Sequence, residues 1–178
     1  IVDVCGAPGG KSINAALKMS EQGDCGRVIA RDLSDYKVAL IDENIKRLNI
    51  TNIQTQVYDA LDCDESLINK ADIVIADLPC SGLGIIGRKP DIKYNASPEK
   101  LQSLVDLQRD ILKVVSRYVK SGGVLMYSTC TINRAENEDN ADWICKESGF
   151  TKDGEYHQLL PANNSGMDGF FVARLIKN

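Results

Sequence analysis

Apolar runs and segments of helical period alternate along the chain. The apolar runs predict strands at residues 1–5, 27–32, 53–59, 71–79, 124–130 and 169–177. The helix-period segments predict helices at residues 12–20, 35–48, 97–120 and 134–147, with a short helical piece near residues 66–70. In the helix at residues 35–48, one buried face would be formed by Val38, Ile41, Ile45 and Leu48.

The longest predicted helix carries recognisable boundary signals. Ser97 is a suitable N-cap, and Pro98 follows at the first helical position. Gly122-Gly123 predicts where the helix has ended and the next strand begins. Its expected buried positions are Leu101, Leu104, Leu112, Val115 and Val119. The segment before it, from Cys80 to Ala96, is predicted to be a long loop.

This alternation predicts an α/β fold, in which a mostly parallel sheet carries helices on both faces. The last strand follows a long loop and could insert antiparallel. A chain of 178 residues suits one domain with a sizeable core, so residues 1–178 are taken as a single domain. The chain opens at "IVDVC" without an initiator Met, and we expect a fragment whose upstream part is missing.

Composition excludes few function classes. The hydrophobic fraction of 43% is ordinary for a soluble globular protein, and no apolar run approaches the roughly 18 residues of a membrane span. A net charge of −4 argues weakly against a free-standing nucleic-acid binder, unless a local basic patch or a missing domain contacts the phosphates. Six cysteines without a CxxC pair, with one histidine, disfavour a zinc site. They predict free thiols in a reducing, cytoplasmic setting.

The carboxyl ends of the predicted strands collect chemically able side chains, and ligands of such sheets bind at that edge. Three acids and two thiols meet there, which is more than packing requires. In chain order the residues are Cys5, Gly6, Ala7, Pro8, Gly9, Gly10 and Lys11 after the first strand, then Asp32, Asp59, Asp77, Pro79, Cys80, Ser128, Thr129 and Cys130.

The glycine-rich loop after the first strand predicts a nucleoside ligand with an anionic tail. A phosphate loop needs four residues between its first glycine and Gly-Lys-Ser, and Gly6 is one residue too close. The exposed N–H groups of such a turn favour a carboxylate, Asp32 could accept both ribose hydroxyls, and Asp59 could meet an adenine edge. S-adenosylmethionine fits these features. Two alternatives stay open: a nucleotide hydrolase, and acids that merely cap helices.

The thiol in Asp77-Leu78-Pro79-Cys80 points to methylation at carbon. Enzymes that methylate exocyclic amines carry an aromatic residue at this place, and this chain does not. The C5 carbon of a pyrimidine becomes nucleophilic when a thiolate adds to C6. One cysteine would suffice for this reaction, whereas Cys80 and Cys130 stand on neighbouring strands. The residues alone do not rank the two thiols.

Four segments, "DVCGAPGGK", "DLPCSG", "STCT" and "DGFF", occur in this order over nearly the whole chain. Together they resemble the RNA cytosine-C5 methyltransferases, most closely the bacterial 16S rRNA enzymes of the RsmB/Sun type. The family usually has Ala in place of Gly6, a small change inside a glycine-rich turn. The resemblance implies a class I S-adenosylmethionine-dependent methyltransferase fold of about seven strands. It also implies an N-terminal RNA-binding domain upstream.

The resemblance also implies roles for individual residues. Cys130 would be the nucleophile, and Cys80 would assist release of the methylated product. The cofactor site would comprise residues 5–11 with Asp32, Asp59 and Asp77. The partner would be RNA, expected to be 16S rRNA, with transfer RNA or another ribosomal RNA as the alternative. A non-catalytic RNA-binding assembly factor is a further alternative, and we expect a monomer without metal or membrane contact.

The basic loop "GRKPDIK" adjoins Cys80 and is predicted to contact RNA. Predicted substrate contacts are Asp77, Pro79, Arg88 and Lys93. Lys11 and the loop are the candidate sources of positive charge near the thiols. Tyr94 could stack on a base or pack against the protein. In "DGFF" we expect Asp168 and Gly169 to shape a turn, and Phe170 and Phe171 to pack.

Overall fold

The computed structural model describes residues 1–161 and 166–178. Within these ranges, eight strands form one sheet: β1 (Val2–Asp3), β2 (Val28–Asp32), β3 (Ile53–Val57), β4 (Ala71–Asp77), β5 (Val119–Thr129), β6 (Phe150–Lys152), β7 (His157–Leu159) and β8 (Phe170–Lys177). The α-helices within the same ranges are α1 (Gly10–Glu21), α2 (Asp35–Leu48), α3 (Ile92–Asn95), α4 (Pro98–Val115) and α5 (Glu138–Ser148).

The strand order of the sheet is β3-β2-β1-β4-β5-β8-β6, and β7 pairs with β8. Strands β1 to β5 run parallel, whereas β8 is antiparallel to β5 as the long preceding loop allowed. The chain proceeds from β1 towards one edge and from β4 towards the other. Right-handed crossovers therefore place α1 and α2 on one face and α4 and α5 on the opposite face. The order reverses between β1 and β4, where such sheets open a cleft at their carboxyl ends.

The main core lies between the sheet and the helices α4 and α5, which cover one of its faces. Every second residue of the central strands points into it, which is the period of a strand. Its buried strand residues are Val2, Val4, Val74, Ala76, Leu125, Tyr127, Phe171, Ala173 and Leu175. The helices contribute Ile111, Leu112, Val115, Ala141 and Ile144. The predicted α/β fold with helices on both faces is confirmed.

One helix prediction is confirmed at both boundaries, and a second is confirmed at its start. Helix α2 spans the predicted residues, and its N-cap is Ser34, whose hydroxyl accepts a hydrogen bond from the Lys37 N–H at 3.4 Å. Ser97 caps α4 by accepting from the Lys100 N–H at 3.3 Å. The buried face of α2 is narrower than expected, because Val38 and Ile41 are buried, Ile45 is half-buried and Leu48 is 43% exposed.

The end of α4 and the start of β5 were predicted wrongly. The helix stops at Val115, and Val119 is the first residue of β5. Pairs Ala71–Val119 and Ile73–Val124 show that β5 bulges outward between them. The bulge contains Gly122, with φ 73°, and Gly123, where a Cβ would lie 3.0 Å from the Asp72 carbonyl oxygen. The glycine pair therefore kinks a strand and does not terminate the helix.

Other elements differ in smaller ways. Strands β6 and β7 were not predicted, since each has three residues, too few for a period-two pattern. The loop after Cys80 contains a 3-10 turn (Leu83–Ile85) and the short helix α3. The helix expected from residue 134 begins as a 3-10 turn (Arg134–Glu136), and α5 follows. Across the described ranges, no helix is both long and apolar enough to cross a bilayer.

Gly84 lies where two loops and the end of β5 meet without room for a side chain. A Cβ at this residue would lie 2.5 Å from the Gly169 carbonyl oxygen and 2.7 Å from that of Cys130. We expect Gly84→Ala to lower the free energy of unfolding by about 1–3 kcal/mol, because backbone must move. For a chain of this length, each kcal/mol of lost stability lowers the Tm of thermal unfolding by about 2–4 °C. Gly87→Ala is the control, since a Cβ there meets nothing within 4 Å; equal Tm values would contradict the prediction.

Candidate active site

A cleft of about 370 Å³ opens where the strand order reverses. Its walls include Asp32 from β2, Asp59 after β3 and Asp77 from β4. Cys80 and Cys130 lie at the same cleft, with Pro79 beside them. The structure therefore brings the predicted acids and thiols together.

The glycine-rich loop borders a smaller recess of about 200 Å³, which shares Cys5, Ala7 and Asp77 with the cleft. Of the remaining loop residues, Gly6, Pro8, Gly10 and Lys11 line this recess. Gly9 lines neither space. Its φ is 105°, and a Cβ there would lie 3.1 Å from Ile13 and 3.2 Å from Ile41. Gly9 thus serves the close approach of α1 to α2 and not direct contact with a ligand.

Asp32 joins the glycine loop to the end of β2. One carboxylate oxygen accepts the Ala7 N–H at 3.0 Å, and the other accepts the Leu33 N–H at 2.8 Å. The Lys37 ammonium lies 3.0 Å away. The alternative that Asp32 merely caps α2 is wrong, because Ser34 is the N-cap. Asp59 accepts the Leu61 N–H at 2.9 Å and so fixes the turn after β3.

Asp3 is a site residue that the sequence reasoning missed. It lines the recess of the glycine loop, is 1% exposed, and accepts the Ser12 hydroxyl at 2.5 Å through Oδ2. Its Oδ1 has no hydrogen-bond partner within the described residues. Burial, and more weakly the nearby Asp77, raises the pKa of Asp3 to about 6. An acid inside the apolar run "IVDVC" was the signal that could have found it.

Asp77 is held in one orientation between two donors. The Lys11 ammonium lies 2.6 Å from Oδ2, and the Ser128 hydroxyl donates to Oδ1 at 2.7 Å. Lys11 also lies 5.2 Å from the centre of the Phe170 ring. The carboxylate therefore stands fixed between the glycine loop and the thiols, as its predicted double contact with cofactor and base requires.

The two thiols form a pair, since Cys80 Sγ and Cys130 Sγ lie 3.3 Å apart. The hydrogen bond with Cys80 lowers the pKa of Cys130 to about 7, with a smaller contribution from the charge of Lys89. The same bond and burial raise the pKa of Cys80. The directions of these two pKa shifts favour ionisation of Cys130 over Cys80, a ranking that the sequence alone did not give. Of the expected sources of positive charge the loop supplies Lys89, whereas the Lys11 charge is paired with Asp77.

A buried polar network, also missed in the sequence, positions the turn that carries Cys80. Glu136 is fully buried and accepts the Ser81 N–H at 2.8 Å and the Gln108 amide at 3.1 Å. The Gln108 amide also donates to the Pro79 carbonyl oxygen at 2.8 Å. Both residues flanking Cys80 are therefore fixed by partners on α4 and on the turn after β5. Removal of one partner from such a network leaves a buried polar group unsatisfied.

Backbone hydrogen bonds connect Cys130 to two glycines of the neighbouring loops. The Gly84 N–H donates to the Cys130 carbonyl oxygen at 3.1 Å, and the Gly169 N–H donates to Gly84 at 2.7 Å. Gly169 thus provides a close backbone approach, beyond the turn that we expected. Phe171 is fully buried and packs edge-on against Tyr127 at 6.1 Å, which confirms that it packs.

The basic loop stays outside the cleft. Arg88 is 72% exposed in its side chain and pairs with Asp168 at 3.0 Å. Lys93 lies 4.8 Å from the ring centre of Tyr94, and Tyr94 is 80% exposed, so packing of Tyr94 in the core is wrong. Arg88 and Lys93 do not line the described cleft. Arg88 and Lys93 would therefore contact the part of the RNA that lies outside the cleft.

The sheet order and the cleft at its reversal define a Rossmann-like methyltransferase domain of class I. A family model described as "16S rRNA methyltransferase RsmB/F" matches residues 1–176. The chain belongs to this family, as its four motifs indicated.

Individual relatives agree with this assignment. The chain is 37% identical to a probable ribosomal RNA small subunit methyltransferase B of Bacillus subtilis, over 99% of the chain and 43% of the relative. It is 33% identical to ribosomal RNA small subunit methyltransferase F of Escherichia coli O157:H7, over 99% of the chain and 40% of the relative. The crystal structure of NSun6 from Pyrococcus horikoshii with SFG has a TM-score of 0.82 and 26% identity, covering 99% of the chain and 47% of that structure. The chain thus spans less than half the length of the relatives.

Proposed function

We propose that the protein transfers a methyl group from S-adenosylmethionine to C5 of a cytosine in RNA, with 16S rRNA as the substrate. The observation that carries this proposal is the thiol pair, 3.3 Å apart in the cleft that also holds three acids. A thiolate beside a thiol suits reversible addition to C6 of a pyrimidine. The proposal concerns the full-length protein, because the chain spans 43% of its B-type relative.

The residues of the cleft fit this cofactor. Asp32 and Asp59 can accept hydrogen bonds from the ribose hydroxyls and the adenine amine. The buried Oδ1 of Asp3, which has no hydrogen-bond partner in residues 1–161 and 166–178, suits the ammonium group at the other end. The N-terminus of α1 suits the carboxylate. When bound, the cofactor supplies an electrophilic methyl group. The relative solved with SFG and the methyltransferase family model support the assignment.

The thiol pair can carry the covalent steps in a defined order. The Cys130 thiolate attacks C6, and the electron pair of the C5–C6 bond becomes available at C5, which takes the methyl group. The methyl transfer would leave S-adenosylhomocysteine. Transfer of the C5 proton to water then returns the electron pair of the C5–H bond to the ring as the C5–C6 double bond, and Cys130 leaves C6 as a thiolate. Cys80, as the neighbouring hydrogen-bond donor, stabilises that thiolate and thereby assists release. Asp77 orients the base through its fixed carboxylate.

The alternatives differ in the RNA and in the chemistry. The family model favours 16S rRNA over transfer RNA or another ribosomal RNA. A non-catalytic assembly factor is disfavoured, because both thiols and all three acids are present in one cleft.

The test of the proposed function incubates the full-length protein with unmodified 16S rRNA, transfer RNA and labelled cofactor, followed by bisulfite sequencing. We expect one protected cytosine in 16S rRNA; absence of 5-methylcytosine would overturn the proposal.

Asp32→Asn is expected to weaken binding of S-adenosylhomocysteine by about 10- to 100-fold, since hydrogen bonds to a charged acceptor are lost. The substitution also loosens the loop, because Asp32 holds the Ala7 N–H. Calorimetry of the full-length protein measures the change. Asp110→Asn on the exposed face of α4 is the control. Unchanged affinity in Asp32→Asn, or tight binding of ATP alone, would contradict the cofactor assignment.

The rate of methylation is expected to depend on the ionisation of Cys130. Its thiolate fraction rises as the pH rises through the pKa of about 7, so kcat/KM should increase up to that pH and then level. Lys89→Ala removes a positive charge that lowers this pKa, so the inflection should move to higher pH. Lys113→Ala on α4 is the control, since Lys113 pairs with Asp110. An inflection unmoved by Lys89→Ala would show that another group governs the profile.

A further inference from the structure

A second recess shares Cys80 with the cleft but contains none of its acids. This loop pocket has a volume of about 210 Å³. Its floor is apolar, and its edge carries a hydroxyl and an ammonium group. The residues that line it are Cys80, Ser81, Asp91, Ile92, Lys100, Leu101 and Leu104, with the exposed Ala96.

The loop pocket exists because α3 is docked beside the Cys80 turn while α4 starts a short distance away. Gly82 has φ 69°, and a Cβ there would lie 3.1 Å from the Ile92 side chain. Leu101 and Leu104 were expected to be buried in the core but are half-buried. The pocket accounts for both, since they form its floor and are not covered by another part of the described chain.

The chemistry of the loop pocket suits a single unpaired base. Drug-sized ligands occupy roughly 300–1,000 Å³, so 210 Å³ suits one ring system better than a whole nucleotide. Unstacked bases bind through their faces to apolar or aromatic surfaces. Residues 87–100 carry four cations and two acids in a chain of net charge −4. Lys100 lines the loop pocket, whereas Arg88, Lys89 and Lys93 belong to the loop before it. The segment beside the pocket is therefore locally positive and can attract phosphates.

We propose that the loop pocket receives the base of a nucleotide adjacent to the target cytosine. This inference rests on the proposed function and deepens it, because it adds a specificity site to the RNA contact. Cys80 is a wall of both spaces, so a base in the loop pocket would lie next to a cytosine held over Cys130. The two neighbouring bases would then be splayed apart, with the intervening phosphate near Lys100.

The test combines a protein variant with an altered RNA. Ala96→Phe places a ring at the exposed rim and fills the pocket without touching the core, whereas Ala39→Phe on the exposed side of α2 is the matched control. The RNAs are 16S rRNA molecules, ligated to carry one abasic ribose immediately before or after the cytosine mapped by bisulfite sequencing. Full-length protein is used, and KM and kcat are measured for each pair.

Ala96→Phe on intact RNA, and wild type on one of the two abasic RNAs, should each show KM raised about tenfold with kcat retained. Together the two changes should raise KM no further than either alone, because both remove the same contact. The inference would be overturned if the KM increases from the variant and the abasic RNA multiplied when combined. It would also be overturned if neither abasic site changed KM, or if the two Phe variants had equal KM. Loss of kcat in Ala96→Phe without any abasic effect would also overturn it and place the target cytosine itself in this pocket. Failure of the proposed function is distinct, since wild type would then not methylate RNA at all.

Discussion

Cys130→Ala is expected to abolish methylation and to prevent any covalent protein–RNA adduct. Loss of a covalent nucleophile typically lowers kcat by on the order of 10⁶-fold. Cys130 is favoured over Cys80 because its pKa is lowered to about 7, whereas the pKa of Cys80 is raised. The measurement is transfer of labelled methyl to 16S rRNA, with adducts resolved by denaturing electrophoresis.

Cys25→Ala is the control for this experiment, because Cys25 is exposed and lies outside the cleft. Binding of S-adenosylhomocysteine should persist in Cys130→Ala, which shows that the variant folds. Residual methylation above one-tenth of the wild-type rate, or an adduct trapped by this variant, would contradict the role of Cys130.

The sequence predicted the elements that position the site because their signals are local. Ser97 marks the start of a helix through its own side chain, and this cap occurs where expected. The acids after β2, β3 and β4 met at one edge because parallel strands align their carboxyl ends. Residues predicted at the ends of single strands therefore identified the acids and thiols of one cleft.

The sequence could not predict features that depend on contacts between distant segments. Glu136 becomes part of the site only because the turn after β5 folds against the Cys80 turn, 55 residues away in sequence. The ranking of the thiols depends on a contact of 3.3 Å, which spacing along the chain does not encode. The Gly122-Gly123 pair was assigned to a helix end, because a bulge gives the same local composition as a C-cap.

Gly84, two residues after the motif "DLPCSG", joins the motifs "STCT" and "DGFF" through its backbone. Gly169 of "DGFF" and Cys130 of "STCT" are the two ends of one chain of hydrogen bonds that runs through Gly84. A side chain on either glycine would separate these segments. The co-occurrence of "STCT" and "DGFF", two of the motifs that carried the family resemblance, thus reflects a single assembly that fixes Cys130.

Cys80→Ala is expected to let the adduct form and then accumulate, with turnover lowered on the order of 10²-fold or more, the scale for a positioned acid–base group. Without Cys80 the leaving Cys130 thiolate loses its hydrogen-bond donor at 3.3 Å, so expulsion from C6 slows. The same loss should raise the pKa of Cys130, so the adduct should form more slowly below neutral pH. Cys80→Ser tests the role of the donor, because a hydroxyl of similar size restores a hydrogen bond and should partly reverse both effects.

The outcome is measured as the fraction of protein that migrates with RNA in denaturing gels, followed over time after a single methylation cycle. We expect a stable adduct band in Cys80→Ala and a band that partly disappears with time in Cys80→Ser. In the control Cys25→Ala, no adduct band should accumulate. If Cys80→Ala forms no adduct while Cys130→Ala traps one, the order of the two thiols is inverted, and the thiolate at Cys130 would serve release. The pKa directions argue for the first order, because Cys130, whose pKa is lowered, is the thiol that ionises more readily and can attack. Cys80, whose pKa is raised, keeps its proton and donates a hydrogen bond to the leaving sulfur.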